Sequence, residues 1–247
     1  GFNPNVDYKQ YDDFATIFAN RDPRLYASVI LPNTQWGGQT ILIQGGLRKQ
    51  DKSVVWQAND SYVFDGVTYY GKGDSDEGRY SGWVDNRANG TRSGFLLKKY
   101  LKGSGDQVWD QVVTPFVDLR YAEVLLNYAE AMNEAYGPDQ APGDYALTAL
   151  DALQLVRDRA SLQLPIVTAA TRDEFREAVK HERRIELAFE DHRYWDLLRW
   201  KDAMEVLNKP VRGVKVTKTG EGKWSYTQTE VATRTFLERN YYMPFTR

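Results

Sequence analysis

The chain has 247 residues, with 32 Lys and Arg against 34 Asp and Glu and no cysteine. The nearly neutral balance argues against a nucleic-acid-binding protein, and zero cysteine excludes a disulfide scaffold, a thiolate metal site and a cysteine nucleophile. No apolar stretch reaches the roughly 18 residues that cross a bilayer, so we expect no membrane-spanning segment.

The first half of the chain, residues 1–115, is rich in Gly, Asn, Asp and aromatic residues. Apolar residues at helical spacing predict a short helix over about residues 7–19, which ends before Pro23 because a residue that precedes proline is disfavoured in the α region. Turn-forming residues dominate 71–94 and predict a long loop. Short apolar runs predict extended segments at 25–31, 41–43 and 61–70.

The second half opens with four predicted helices. Apolar residues recur at intervals of three and four. In the first helix, Leu119 and Leu126 are predicted on the buried face, with Tyr136 at its edge. Glycine and proline separate the helices, and Thr171 and Glu174 form a capping-box signature at the start of the third. Short connections between successive helices imply antiparallel neighbours, that is, a helical-hairpin array. The helices are predicted at 118–136, 144–160, 172–190 and 192–210.

After Pro210 the pattern alternates as in a strand, and residues 214–217 and 224–227 predict a β-hairpin. The apolar segment 241–245 is expected to pack back onto the body. We therefore predict a mainly α fold with a small β-hairpin and long aromatic-rich loops. We expect two regions, a loop-rich region at 1–115 and a helical core with the hairpin at 116–247, within one compact unit.

The most charged helix contains Glu182, Glu186 and Glu190 at intervals of four. His181-Glu182 begins like a zinc-protease helix, but Ile185 occupies the place of the second histidine. With 2 histidines in the chain, a multi-histidine zinc site is excluded, and we expect no metal. Glu182 shares a face with apolar residues, which favours a structural ion pair with an arginine. The candidate partners are Arg157, Arg159, Arg184 and Arg193, of which Arg157 and Arg184 are preferred.

Other catalytic patterns are weak. The chain has no Gly-x-Ser-x-Gly motif, and no spacing singles out a carboxylate pair for glycoside hydrolysis. Residues 74–78 resemble the start of a calcium loop, but the following positions are out of register. We expect no enzymatic activity, no catalytic residue and no cofactor.

Eight aromatic residues lie between positions 36 and 83, many of them in polar, turn-rich sequence. A flat apolar ring beside amides, carboxylates and guanidiniums matches a sugar, whose C–H face stacks on the ring while its hydroxyls form hydrogen bonds. The alternative is that these rings hold loops onto the body, as Trp195 and Trp200 are expected to pack within the fourth helix. The predicted ligand-binding residues are Trp36, Trp56, Tyr70, Trp83, Asn86 and Arg87.

Three ordered motifs resemble the SusD/RagB family. Residues 119–131 (LRYAEVLLNYAEA) and 149–160 (ALDALQLVRDRA) resemble two successive family helices. Residues 182–200 (ERRIELAFEDHRYWDLLRW) are similar to its most specific signature. Weaker similarities occur at 22–25, 98–100 and 242–244.

The resemblance implies a starch-utilisation-type outer-membrane lipoprotein of Bacteroidota. It implies tetratricopeptide-like helix pairs that support a loop-rich ligand face, and a non-catalytic protein at the cell surface. The implied partners are a glycan or oligosaccharide and a SusC-like TonB-dependent transporter barrel. Two alternatives stay open: a peptide-binding member, or a transporter-docking scaffold without a ligand site. Family members are about twice as long and begin with a signal peptide and a lipidated cysteine, so we expect a C-terminal portion.

Overall fold

The structure is a computed structural model, and it describes most of the chain. The described residues are 10–11, 17–32, 34–41, 43, 46–48, 54–55, 61–64, 67–70, 91, 93–101, 117–162, 164–220 and 223–242. The chain divides into two compact units. Unit one contains residues 1–21, 25–113 and 204–247, and unit two contains residues 22–24 and 114–203.

Unit two is helical. Its helices are α2 Tyr121–Tyr136, α3 Ala149–Arg157, α4 Arg172–Glu186 and α5 His192–Arg199. Helix α2 packs against both α3 and α4. Two of the starts are capping boxes, in which Thr148 pairs with Asp151 and Thr171 pairs with Glu174. Each box satisfies backbone N–H groups that have no partner inside the helix, and the second was predicted from the sequence.

The core of unit two lies between α2, α3 and α4. Phe175 of α4 and Leu126 of α2 are both 0% exposed. The buried stripe of α2 also contains Leu125, Ala129 and Met132, so the predicted apolar periodicity describes most of the packed face. Two residues predicted at that face, Leu119 and Tyr136, are exposed instead, because Leu119 precedes the first helical residue and Tyr136 is the last one.

The predicted third and fourth helices are shorter than expected. Helix α4 ends at Glu186, and Phe189 and Asp191 have φ values of 66° and 61°. A left-handed residue cannot continue a right-handed helix, so the turn between them separates α4 from α5. The segment 192–210 likewise forms two helices, α5 and α6 Ala203–Leu207, because Lys201 has φ 64°.

Unit one contains a five-stranded sheet. Its strands are β1 Gln10–Tyr11, β5 Gly46–Arg48, β6 Val54–Val55, β10 Val211–Gly220 and β11 Lys223–Ala232. Their order across the sheet is β1-β11-β10-β5-β6. Strands β10 and β11 form the predicted hairpin, which is longer than expected. Strand β5 pairs with β10 in parallel, and the other neighbours pair antiparallel. The hairpin therefore groups with the N-terminal segments, whereas the sequence pattern assigned it to the helical half.

One N-terminal prediction is wrong, and another is confirmed only in part. The expected helix over 7–19 contains strand β1, and the described helical part is limited to residues 17–18. The expected strand over 25–31 begins as helix α1 Pro23–Ser28 and becomes extended only at β2 Val29–Ile30. Pro23 starts this helix, because proline fits the first helical position and Asp22 Oδ1 accepts the Arg24 N–H at 2.9 Å.

The predicted extended segments 41–43 and 61–70 are partly confirmed. Strand β4 Gln39–Ile41 pairs with β3 Thr34–Trp36, and β7 Ser61–Phe64 pairs with β8 Val67–Tyr70. Strand β2 pairs with β9 Leu96–Leu97. These short two-stranded pairings lie outside the five-stranded sheet of unit one.

The core of unit one lies on the β10–β11 hairpin. Phe18 packs edge-on against Tyr226 with ring centroids 6.4 Å apart, and both side chains are buried. Gly213 lets the backbone of residue 93 approach, since a Cβ at this position would lie 2.7 Å from Ser93 O. Val214 N donates to that oxygen at 2.8 Å, so the close approach forms a hydrogen bond.

The C-terminal segment packs onto α6 in part. Asn208 Nδ2 donates to Phe236 O at 3.0 Å, and Phe236 N donates to Asn208 Oδ1 at 2.7 Å. The Met204 N–H donates to the Tyr241 hydroxyl at 3.0 Å. Tyr242 is 67% exposed, and residues 243–247 lie outside the described residues.

Candidate functional site

One of the six predicted ligand-binding side chains lies in the described part of the chain. Trp36 is the last residue of β3, and Gly37 and Gly38 follow it with φ values of 58° and 79°. Two positive φ values in succession are those of a type I′ turn, which glycine adopts without steric cost. The tight turn thereby sets Trp36 at the end of a hairpin.

Lys98 lies beside Trp36. Its Nζ is 5.4 Å from the centroid of the Trp36 ring, within the range of a cation–π interaction. Lys98 Nζ also donates to Tyr26 O at 2.7 Å, and Lys98 N donates to Ser28 O at 2.9 Å. The lysine is therefore anchored to the end of α1 by both its backbone and its side chain.

The half-buried indole and the ammonium form an amphipathic pair. The ring offers an apolar face, and the ammonium has three hydrogen-bond donors, of which one is used by Tyr26. Such a pair suits a ligand that is apolar on one face and hydroxylated at its edge. The sequence does not indicate Lys98 as a neighbour of Trp36, because more than 60 residues separate them in the chain.

The other predicted ligand residues are not placed by the structure. Trp56, Trp83, Asn86 and Arg87 lie outside the described residues, as does the acidic segment 74–78. For Tyr70 the structure describes the backbone position at the end of β8 and not the side chain.

Aromatic residues of the helical unit differ from expectation. Trp195 was expected to pack within the helical region, but it is 54% exposed. Its ring contacts the Tyr194 ring edge-on, with the ring centroids 5.6 Å apart. Tyr121 is 71% exposed. Trp200 is half-buried and its Nε1 donates to Glu130 Oε1 at 2.8 Å. The sequence pattern does not separate these positions, because Trp195 in α5 and Trp200 directly after it both lie among leucines and charged residues.

Three glutamates, two in α4 and one shortly after its end, accept hydrogen bonds from arginines. Glu182 is 1% exposed and accepts from Arg157 Nη1 at 2.6 Å and from Arg24 Nη1. Arg120 donates to Glu190 at 2.6 and 2.9 Å. We call this group the acid–arginine cluster; its members are Glu182, Glu186, Glu190, Arg24, Arg120, Arg157 and Arg159.

Glu186 is the centre of the acid–arginine cluster. Its Oε1 accepts from Arg120 Nη1 at 2.7 Å, and its Oε2 accepts from Arg159 Nη2 at 2.6 Å and from Arg24 Nη1 at 2.9 Å. Burial raises the pKa of Glu186, but the hydrogen bonds from Arg120 and Arg24 outweigh it and hold that pKa below its ordinary value. A carboxylate kept ionised in this way is a poor general acid, so the cluster is structural.

The structure departs from the predicted partner set of this cluster in two ways. Arg184 is exposed and forms no ion pair within the described residues, because it lies about 200° around the helix from Glu182. Arg24 and Arg120 are partners that sequence reasoning missed. Arg24 is 158 residues from Glu182, and no local pattern links positions so far apart.

A second group of charges joins α2, α4 and α5. Arg183 Nε donates to Asp196 Oδ2 at 2.9 Å, and Arg183 Nη1 donates to Asn127 Oδ1 at 2.6 Å. Arg199 Nε donates to the other oxygen of Asp196 at 2.9 Å. Because Arg183 and Asp196 are both buried, these bonds orient the three helices.

Within the described residues, no group of His, Asp and Glu side chains has an arrangement that would hold a metal ion. The helices of that part of the chain are also too short or too polar to cross a membrane. The candidate site therefore consists of the Trp36 and Lys98 pair, and the charged clusters belong to the scaffold.

The acid–arginine cluster predicts a loss of stability in acid. A carboxylate whose folded pKa is lowered stabilises the fold above its unfolded pKa, and this contribution is lost as the pH falls through the folded value. Glu186 and Glu130 both have lowered pKa values: burial raises each, and arginine hydrogen bonds outweigh it. We expect the free energy of unfolding to decrease below about pH 4.5. Urea unfolding at a series of pH values measures this free energy. A free energy of unfolding that stays constant down to about pH 3 would contradict the prediction.

Comparison with known proteins places the chain in a family. A sequence model of the SusD family matches residues 3–246. The chain is 30% identical over 164 residues to SusD-like protein P38 of Formosa agariphila, covering 62% of this chain and 30% of that protein. It is 39% identical over 99 residues to SusD-like protein P2 of the same organism, covering 38% of this chain and 18% of that protein. The chain belongs to the SusD family.

Solved structures agree with this assignment. A SusD-like protein from Bacteroides fragilis superposes with a TM-score of 0.64 at 25% identity, over 94% of this chain and 37% of that one. A SusD-like carbohydrate-binding protein from the same organism superposes with a TM-score of 0.56 at 28% identity, over 86% of this chain and 34% of that one. The chain thus spans about a third of the length of these relatives.

Proposed function

We propose that this chain is part of a non-catalytic, cell-surface glycan-binding protein that delivers oligosaccharides to a TonB-dependent outer-membrane transporter. The observation that carries the proposal is membership of the SusD family together with a structural neighbour that is described as carbohydrate-binding. The position of a half-buried tryptophan beside a lysine in unit one supports it, because this pair suits a sugar ring.

The proposed ligand site contains the aromatic residues of the first half of the chain and the polar residues near them. Trp36 and Lys98 form its described part. Each stacked ring or hydrogen bond adds about 1 kcal/mol, so several contacts are needed for measurable affinity. The remaining proposed members are Trp56, Tyr70, Trp83, Asn86 and Arg87.

The helical unit has the proposed role of a scaffold. Helix α2 packs against both α3 and α4, and this packing supports a tetratricopeptide-like arrangement of helix pairs. We further propose that the protein lies on the cell-surface side of the outer membrane, as a lipoprotein, and associates with a SusC-like transporter barrel. Co-purification of such a barrel with the affinity-tagged protein from its native membrane tests this association, and repeated purification without a barrel would contradict it.

Replacing Trp36 by alanine tests the ligand site. Loss of one stacking surface costs about 0.5–1.5 kcal/mol, so we expect the Kd for a bound oligosaccharide to rise roughly three- to ten-fold. Isothermal titration against a panel of poly- and oligosaccharides first identifies the ligand and then compares the variant with the unaltered chain.

Trp195→Ala is the matched control, since Trp195 is an exposed tryptophan of the other unit. We expect its Kd to equal that of the unaltered chain. Equal affinities of the two variants would remove Trp36 from the site. Binding of oligopeptides but of no glycan in the same titrations would replace the carbohydrate function by the peptide-binding one.

A further inference from the structure

Unit one contains a pocket of about 210 Å³ against the middle of the β10–β11 hairpin. The pocket is separate from the proposed glycan site, since Trp36 and Lys98 do not line it. It is smaller than the roughly 300–1,000 Å³ that holds a drug-sized ligand, so it has room for a group of about one ring.

The floor of the pocket is apolar. Phe18 and Val214 are 5% and 2% exposed, and Phe95 packs edge-on against Phe18 with ring centroids 5.9 Å apart. This packing fixes the rings, so the floor is preformed for an apolar group. A sugar ring is a poor occupant, because its hydroxyls would face this floor without hydrogen-bond partners.

The rim of the pocket carries positive charge. Arg21 and Arg212 line it together with Gln228. Arg21 Nε and Nη2 each donate to Ile17 O at 3.2 Å, which holds the guanidinium in place and leaves Nη1 for another acceptor. Guanidiniums bind carboxylates more strongly than neutral acceptors, because the hydrogen bonds are charge-assisted.

We propose that this pocket binds a carboxylate that is carried by an apolar ring. The ring lies on Phe18, Phe95 and Val214, and the carboxylate accepts a hydrogen bond from the guanidinium of Arg21. The Gln228 amide offers a further donor at the rim. The proposal does not depend on the glycan-binding function, because different residues carry it.

The first experiment compares two probes that differ in charge. The probes are 3-phenylpropionate and its neutral amide, and the readouts are titration calorimetry and the amide NMR signal of Gly213, which lines the pocket. For an acid of this size we expect a Kd on the order of 1 mM. The amide is expected to bind about ten-fold more weakly, since it lacks the charge-assisted bonds. D-glucuronate, a carboxylate without an apolar ring, is expected not to bind at the pocket.

The second experiment changes the rim. Gln228→Glu is nearly isosteric and places a negative charge at the pocket, and Arg21→Gln removes a positive one. We expect each to weaken binding of 3-phenylpropionate by about ten-fold or more. Arg234→Gln removes an exposed arginine of the same unit that does not line the pocket, and it is expected to leave the Kd unchanged.

Three outcomes would overturn the proposal. They are equal affinity for the acid and its amide, saturable binding of D-glucuronate as tight as that of 3-phenylpropionate, and no shift of the Gly213 signal up to about 10 mM acid. The comparison of the acid with the amide uses the unaltered chain, so it decides the matter even where a variant fails to fold.

Discussion

Replacing Glu186 by alanine is expected to lower the free energy of unfolding by about 3–5 kcal/mol. The Glu186 side chain is 3% exposed, and its two oxygens accept hydrogen bonds from Arg24, Arg120 and Arg159. Alanine leaves these guanidiniums without their shared acceptor, and an uncompensated charge in a poorly solvated place is costly. Chemical unfolding followed by circular dichroism measures the change.

Glu177→Ala is the matched control on the same helix. The Glu177 side chain is 73% exposed and lies 3.2 Å from Lys180, and an exposed pair of this kind contributes about 0–1 kcal/mol. A Glu186→Ala loss no larger than that of Glu177→Ala would show that the acid–arginine cluster does not stabilise the fold.

Replacing Phe175 by alanine is expected to cost about 3–5 kcal/mol as well, for a different reason. Phe175 is 0% exposed in the core between α2, α3 and α4. Removing its ring loses the transfer free energy of the buried atoms and leaves a cavity that close-packed neighbours fill only partly. For a unit of about 90 residues, each kcal/mol shifts the melting temperature by about 4–8 °C. Differential scanning calorimetry detects such a shift.

Phe189→Ala is the control for Phe175→Ala, since it removes the same ring from a residue that is 54% exposed. We expect it to cost less than about 1 kcal/mol.

Phe175→Ala and Glu186→Ala also differ in their dependence on pH. Phe175→Ala removes no charge, so its cost stays the same at pH 7 and pH 4, whereas the cost of Glu186→Ala shrinks in acid as the carboxylate it removes becomes protonated.

The scaffold and the ligand face of this protein differ in how far local sequence describes them. The capping box of Thr171 with Glu174 and the apolar stripe of α2 were both predictable, because each depends on residues a few positions apart. The C-terminal end of α4 was not, because left-handed residues such as Asp191 leave no spacing signal. Pro23 was interpreted as a helix stop, but it is the first residue of α1. Proline disfavours the α region for the residue before it, and it also fits the first position of a helix.

The candidate site shows the same contrast. Trp36 was found from its setting of polar, turn-forming residues, and its hairpin follows from Gly37 and Gly38. Lys98 was not found, because its approach to the ring depends on the pairing of β2 with β9. The exposure of Trp195 was not found either. Whether an aromatic residue faces the core or solvent depends on which element packs over it. The spacing of apolar residues along the sequence does not show which element that is.

The sequence by itself determined the family, the helical character of the second half and the burial of Glu182 with an arginine. These properties depend on local spacing and on ordered motifs, which a linear chain displays directly. Only the tertiary structure decided that Arg24 and Arg120 complete the acid–arginine cluster, that the β10–β11 hairpin groups with the N-terminal segments, and that a basic-rimmed apolar pocket forms beside it. The physical reason is that such contacts join residues far apart in the chain, and their free energy depends on burial that only the folded backbone creates.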